Sequence, residues 1–108
     1  MSDTTPSDPA VVVLAGELDL ADAPAVSAQL HAAADATGRV VVDLHGVTFI
    51  DSTAIGALVG VQRALKERGG TMVLRRPSRA VARLLELTAL DRLFEIEQTE
   101  EDPVDDEA

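Results

Sequence analysis

The chain has 108 residues, the size of a single domain, and 46% of them are hydrophobic, which is enough to form a core. Aromatic residues make up 2% of the chain, which argues against single-stranded nucleic-acid binding, since that function needs aromatic rings for base stacking. The absence of cysteine excludes disulfides and thiolate metal sites, and His31 and His45 have no metal-ligand spacing around them. We therefore expect neither a metal nor a cofactor.

The formal charge of −10 is concentrated at the C-terminal end. From Glu95 onwards there are eight acidic residues and no basic one, whereas the first 94 residues carry 9 basic and 11 acidic side chains. Neither part resembles a surface that binds polyphosphate. The N-terminus lacks the pattern of a signal peptide, and no run reaches the roughly 18 apolar residues of a membrane span. We expect a cytoplasmic protein that contacts neither nucleic acid nor a membrane directly.

The spacing of apolar residues predicts strands that alternate with helices. Runs of β-branched residues indicate strands, the first of them buried, and apolar residues at helical spacing indicate helices with one buried face. Asp19 or Asp22 can cap the first helix. This order predicts an α/β fold with a mostly parallel sheet of four to five strands and helices packed against it. The predicted elements are strand 11–14, helix 21–34, strand 40–44 with an extension over 47–50, helix 52–68, strand 71–75, helix 77–87 and edge strand 94–97.

Both ends of the chain are predicted to lie outside this fold. Residues 1–9 are polar and contain two prolines, and residues 99–108 are acidic with almost nothing apolar to bury. We expect both segments to be disordered, which leaves a single domain over residues 10–98.

The turn between the second strand and the second helix is the candidate functional site. Ser52 and Thr53 stand where the helix N-cap is predicted, and hydroxyl oxygens there accept hydrogen bonds from first-turn N–H groups. A phosphate at this point would face free N–H donors and the positive end of the helix dipole. The predicted turn at residues 16–19 should lie close by, because parallel strands end on the same edge of a sheet.

The helix after this turn has two distinct faces at 100° per residue. Its apolar arc contains Ile55, Leu58, Val61 and Leu65. Its solvent side contains Thr53, Gly56, Gly60, Arg63 and Glu67. Two glycines on that side cost about 1 kcal/mol each relative to alanine. They indicate the close approach of a partner, close packing against a neighbouring helix of the same domain, or evolutionary drift.

The sequence lacks the motifs of an enzyme. Neither the hydrolase elbow nor a nucleotide-binding glycine motif is present. Asp51 can act as a cap or orient a neighbouring group, but it has no catalytic partner beside it. No third group is evident that would orient His45 as a base for Ser52. We therefore expect no catalytic residue.

Three stretches resemble the STAS family of bacterial anti-sigma factor antagonists, and the resemblance extends over residues 11–97. They are GELD at residues 16–19, VVVDLHGVTFIDSTAIGAL at 40–58 and ELTALDRLFEIE at 86–97. In that family the serine after the motif aspartate is phosphorylated, a position that corresponds to Ser52 here, with Thr53 as a second candidate. The resemblance implies a STAS fold and a regulatory protein that is a kinase substrate and not an enzyme.

The same resemblance implies a partner-switching cycle. The family's partner is an anti-sigma factor with a histidine-kinase-like ATPase fold, which acts as a serine kinase. Binding of the unphosphorylated antagonist frees a sigma factor, phosphorylation breaks the complex, and a PP2C-type phosphatase restores it. The residues expected to contact the partner are Gly16, Glu17, Asp19, Asp51, Ser52, Thr53, Gly56, Gly60 and Arg63.

The sequence departs from the family pattern at three places. Ala54 stands where the motif commonly has glycine, and residues 1–9 and 99–108 do not resemble the family's usual opening strand and closing helix. Two alternatives therefore stay open. One is a constitutive structural subunit of a lipid-transport or stress-signalling assembly, in which Ser52 is only a cap. The other is a ligand-sensing STAS domain that binds a nucleotide or small molecule at the sheet edge.

Overall fold

A computed structural model of the protein describes residues 8–98, in which strands and helices alternate. Disorder was expected for residues 1–9 and 99–108, and of these only Asp8 and Pro9, which precede β1, are among the described residues. In chain order the elements are β1 (Ala10–Leu18), α1 (Ala23–Thr37), β2 (Arg39–Ile50), α2 (Ser52–Glu67), β3 (Thr71–Arg75), α3 (Arg79–Leu87), a short 3-10 turn (Leu90–Arg92) and β4 (Glu95–Glu97).

The four described strands form one parallel sheet in the order β1-β2-β3-β4. This confirms the predicted α/β class and places β4 at an edge. β2 is one continuous strand of 12 residues, which contains both the predicted strand 40–44 and its extension over 47–50. β1 stays paired with it through two register shifts, between Val13 and Ala15 and between Gly16 and Glu17. Those irregularities absorb the extra residues of β2 and bend the pair.

Strand β1 differs from its prediction in length and in burial. It continues to Leu18, so Gly16 and Glu17 belong to the strand and not to a turn. Val12 is 6% exposed whereas Val13 is 65% exposed. The predicted fully buried strand was therefore wrong, because β1 is an edge strand with one face against the core. Alternation along a pleated strand produces this pattern.

A single hydrophobic core joins the strands to all three α-helices. The buried arc of α2 is confirmed, since its residues are at most 3% exposed. Representative members of the core are Leu30 and Ala34 of α1, Leu58 and Val61 of α2, Val81 and Leu85 of α3, Val42 and Leu44 of β2, and Leu74 of β3.

The first helix begins later than predicted, at Ala23, and no carboxylate caps it. Asp22 occupies the N-cap position, but its side chain makes no capping hydrogen bond. Its Oδ2 accepts a hydrogen bond from the Asp19 N–H at 3.0 Å, and Asp19 Oδ1 accepts one from the Ala21 N–H at 3.0 Å. The two carboxylates thus hold the loop between β1 and α1 through hydrogen bonds to the loop's own N–H groups.

Candidate functional site

The junction between β2 and α2 is built around the side chain of Asp51. This residue has extended backbone angles, and its Oδ1 accepts a hydrogen bond from the Ala54 N–H at 2.9 Å. Asp51 is therefore the N-cap, and the prediction that Ser52 or Thr53 fills this position was wrong. The carboxylate is placed one residue earlier and reaches the third N–H of the helix, as N-cap side chains do.

Ser52 and Thr53 consequently occupy the first two positions of α2. Both residues are exposed, and neither hydroxyl has a hydrogen-bond partner within residues 8–98. Since the cap is supplied by Asp51, the Ser52 hydroxyl has no structural role in this part of the chain. It lies free in solvent at the positive end of a helix of 16 residues.

The end of β1 lies directly beside this junction, as the parallel topology predicts. The Asp51 N–H donates to the Leu18 carbonyl oxygen at 3.1 Å, which extends the pairing of Leu18 with Ile50 by one step. Asp19 follows immediately and is exposed. The structure therefore brings two of the acidic residues named from sequence, Asp19 and Asp51, to the same edge of the sheet.

Gly16 and Glu17 lie further back along β1 and differ from each other in role. Gly16 has a φ of +81° next to a register shift, and a Cβ added there would meet nothing within 4 Å. Its backbone conformation therefore requires glycine, whereas space does not. Glu17 is exposed and pairs with Phe49 of β2.

Beside Ser52, the outer face of α2 is exposed and contains two glycines. Thr53, Gly56, Gly60 and Arg63 are all exposed. A Cβ added to Gly56 or Gly60 would meet nothing within 4 Å. Close packing against another helix of the domain therefore does not explain these glycines, which removes one of the explanations left open by the sequence.

Comparison with known proteins identifies the family of this fold and site. A family model described as "Mlab, STAS domain" matches residues 1–96. An anti-sigma-B factor antagonist from Listeria monocytogenes is 36% identical over 90 residues, which cover 82% of this chain and 79% of the relative. The chain belongs to the STAS family of anti-sigma factor antagonists. The corresponding Bacillus subtilis protein is 32% identical over 79% of this chain and 78% of its own length.

Solved structures of STAS anti-sigma factor antagonists have the same fold. One from Mycobacterium paratuberculosis is 31% identical, covers 85% of this chain and 79% of its own, and superposes with a TM-score of 0.73. The antagonist SpoIIAA in its unphosphorylated form is 26% identical, covers 92% of this chain and 89% of its own, and gives a TM-score of 0.70. A structure of Bacillus SpoIIAA in the phosphorylated form gives 0.64.

Ala54, where this STAS domain departs from the family motif, is buried in the core. It is 1% exposed, and its N–H is the group that Asp51 caps. Its methyl group therefore points away from the outer face of α2, and the surface around Ser52 is the same as a glycine at this position would leave.

Two exposed apolar residues near the STAS motif were not found from sequence. Leu20 is 68% exposed after β1, and Phe49 is 49% exposed two residues before Asp51. Phe49 belongs to the mostly apolar run 47–50, but it pairs with Glu17 on the outward side while Ile50 turns into the core. Alternation within a single strand can be read from the sequence. The register shift that turns Phe49 outward cannot, because it depends on how two strands pair.

Asp43 is the most strongly perturbed acid among the described residues of the STAS domain. Burial raises the pKa of its carboxyl, but hydrogen bonds from the His45 N–H at 3.0 Å and from Arg76 at 3.1 Å outweigh this effect. The pKa of Asp43 therefore lies below its ordinary value. The side chain is 13% exposed, and its partners indicate a structural role.

The described residues contain no candidate metal centre and no membrane span. Within residues 8–98, no three histidine or carboxylate side chains are grouped so that they could hold a metal ion. In the same part of the chain, no helix has the length and apolarity needed to cross a bilayer.

Proposed function

We propose that this STAS domain binds an anti-sigma factor and that phosphorylation of Ser52 breaks the complex. The proposed partner is a serine kinase with a histidine-kinase-like ATPase fold, which releases its sigma factor when the antagonist binds. A PP2C-type phosphatase would then regenerate the binding form. The observation that carries this proposal is the free, exposed Ser52 hydroxyl at the first position of α2, next to a carboxylate that already caps the helix.

The chemistry of a phosphoserine at this position supports a switch without refolding. A phosphate adds about −1.5 to −2 charges at pH 7. In the free domain it would meet unpaired first-turn N–H groups and the positive end of the helix dipole, so the fold would tolerate it. In an interface it would be desolvated beside Asp51, which costs binding energy. A loss of about 3 kcal/mol weakens binding roughly a hundredfold.

The surface around Ser52 suits a partner that approaches closely. Gly56 and Gly60 leave the α2 backbone uncovered on the side where Thr53 and Arg63 are exposed. We assign this face to the kinase, together with the acidic side chains of Glu17 and Asp19 at the end of β1. The bare helix lets the kinase backbone pass over α2 and reach the hydroxyl of Ser52.

The structure weakens the argument for a constitutive structural subunit. That alternative depended on Ala54 as a change in the surface of the motif, and Ala54 is buried. The partner face of the STAS domain is therefore not altered by this departure, and the switch is the function that the site supports best.

The test is an affinity pull-down from the native host with Ser52→Ala and Ser52→Asp baits side by side. We expect a histidine-kinase-like ATPase to bind the Ser52→Ala bait and to be lost from the Ser52→Asp bait. Thr53→Ala and Thr53→Asp baits are the matched controls, and both should retain the ATPase more strongly than Ser52→Asp does. Retrieval of the same proteins by both Ser52 baits would contradict the switch and favour a constitutive subunit.

A further inference from the structure

A cleft lies at the end of the sheet opposite to Ser52. Its volume is about 300 Å³, and it opens between the C-terminal half of α2 and the segment that leads into β4. Thr71 and Glu95, the first residues of β3 and β4, mark that end of the sheet. Lys66 on its wall is separated from Ser52 by about 21 Å along α2, at 1.5 Å per residue. The cleft is therefore a separate site from the proposed kinase face.

The inside of the cleft combines an apolar floor with one incompletely paired polar group. Met72 and Phe94 line it and are 2% and 6% exposed. Gln62 also lines it, is 8% exposed, and donates from Nε2 to the Leu93 carbonyl oxygen at 2.8 Å. Because the amide nitrogen must face that carbonyl, the amide oxygen is left over. It accepts no hydrogen bond from any described residue, so a donor that enters the cleft could bind it.

The rim of the cleft carries two cations and one acid. Lys66 and Arg92 are exposed lining residues, and neither forms an ion pair with another residue of the described range. Glu95 is the acidic lining residue. The lining residues together carry a net positive charge, in a chain whose overall charge is −10. A single anionic group is the chemistry that this rim would attract.

We propose that this cleft binds a small organic carboxylate that also carries a hydrogen-bond donor. The carboxylate would interact with Lys66 and Arg92, the donor would satisfy the Gln62 amide oxygen, and the apolar body would cover Met72 and Phe94. The volume is at the lower end of the range for small-molecule sites, which selects a ligand of few atoms. Glu95 disfavours a second negative charge, so a monocarboxylate fits better than a dicarboxylate.

The experiment is an NMR titration of the ¹⁵N-labelled full chain at pH 7 with three probes. They are 3-hydroxyhexanoate, hexanoate, which lacks the donor, and 3-hydroxyhexanamide, which lacks the charge. We expect 3-hydroxyhexanoate to bind with a Kd of about 1–10 mM, as befits so small a ligand. Hexanoate should bind at least threefold more weakly and the amide at least fivefold more weakly. The amide signals that shift should be those of the cleft-lining residues.

Paired variants locate the binding. Lys66→Ala combined with Arg92→Ala should weaken 3-hydroxyhexanoate at least fivefold. Arg79→Ala combined with Arg83→Ala, which removes two exposed arginines of α3 outside the cleft, should leave the Kd within twofold. The proposal is overturned if 3-hydroxyhexanoate does not saturate, if the neutral amide binds as tightly, or if both double variants behave alike. Equal binding of hexanoate would overturn the assignment of the donor to Gln62.

Discussion

Asp51 caps α2, whereas the neighbouring Ser52 carries the free hydroxyl; a single serine at the cap could not do both. The Asp51 carboxylate closes the first turn of α2, and the Ser52 hydroxyl is left free at the surface. A hydroxyl that capped the helix would be withdrawn from a kinase, and its modification would disturb the turn. The observed arrangement lets Ser52 change its charge while the helix start stays intact.

This division predicts unequal effects of two alanine substitutions. Asp51→Ala should lower the free energy of unfolding by about 1 kcal/mol, because the Ala54 N–H loses its acceptor. Asp51→Asn keeps an acceptor and should cost less. Ser52→Ala should stay within about 0.5 kcal/mol of the wild type, as surface substitutions do. Urea unfolding at pH 7 measures all three, and an equal loss for Ser52→Ala would show that Ser52 does cap the helix.

The paired carboxylate of Asp43 makes stability depend on pH in a defined direction. Its pKa is lower in the folded chain than the unfolded value of about 3.9. The ionised form therefore stabilises the fold above that unfolded value, and the contribution is lost as the pH falls through the folded-state pKa.

Asp43→Asn should accordingly lower the free energy of unfolding by about 1 kcal/mol at pH 7, because the charge-assisted bond with Arg76 is lost. The difference from the wild type should shrink below about pH 4. Urea unfolding at pH 7, 5, 4 and 3 tests this. Asp35→Asn is the control, since its ion pair with Arg68 is exposed and should contribute little. A difference that stays constant across these pH values would contradict the account.

At the scale of elements, α2 connects the core to the proposed interface. Its apolar arc is fully buried, and its opposite face carries glycines with open space around them. Gly70, just beyond the helix, is the contrasting case. A Cβ added there would lie 2.5 Å from the Gly38 carbonyl oxygen.

Alanine should therefore have opposite effects at these glycines. Gly56→Ala and Gly60→Ala should each raise the free energy of unfolding by about 0.5–1 kcal/mol, since alanine favours the helix and meets no neighbour. Gly70→Ala should lower it by about 1–3 kcal/mol through overpacking. Urea unfolding distinguishes these signs. Loss of stability at Gly56 and Gly60 would mean that their surroundings are not open.

A larger side chain on the same face should separate binding from folding. Gly56→Gln should keep the stability of the wild type or exceed it, because glutamine is a good helix former. It should nevertheless weaken binding of the retrieved ATPase at least tenfold by covering the bare helix. Ala28→Gln, at an exposed position of α1, is the matched control and should bind normally. Unchanged affinity of Gly56→Gln would place the interface elsewhere.

The elements with strong periodicity could be predicted from sequence, and the irregular ones could not. The buried arc of α2 follows from helical spacing, and the parallel order follows from alternating strands and helices. The outward orientation of Phe49 depends on a register shift between β1 and β2, which is a pairing property of two distant segments. The sequence favoured Ser52 or Thr53 as the cap and left Asp51 only as an alternative, because all three residue types are favoured at that position and a helix boundary is uncertain by a residue or two.

At the scale of the whole molecule, the two ends of α2 carry different chemistry. Its N-terminal end presents the free serine beside exposed carboxylates, and its C-terminal end borders the cleft with an unused amide oxygen and two cations. The first end is the site of the proposed phosphorylation, which would weaken binding of the partner. The second end lies 14 positions further along the helix, counted from Ser52 to Lys66. Because of this separation, a ligand bound in the cleft would not compete directly with the kinase.

The most direct test of the central claim is the Kd of the retrieved anti-sigma factor for the unphosphorylated chain and for the chain phosphorylated on Ser52. The phosphorylated form is prepared with that kinase and ATP, and Ser52→Ala incubated in the same way controls for modification elsewhere. Phosphorylation should weaken binding at least a hundredfold, whereas Ser52→Ala should keep its affinity after incubation. Equal affinity of the two forms, or incorporation of phosphate into Ser52→Ala at the level of the wild type, would contradict it.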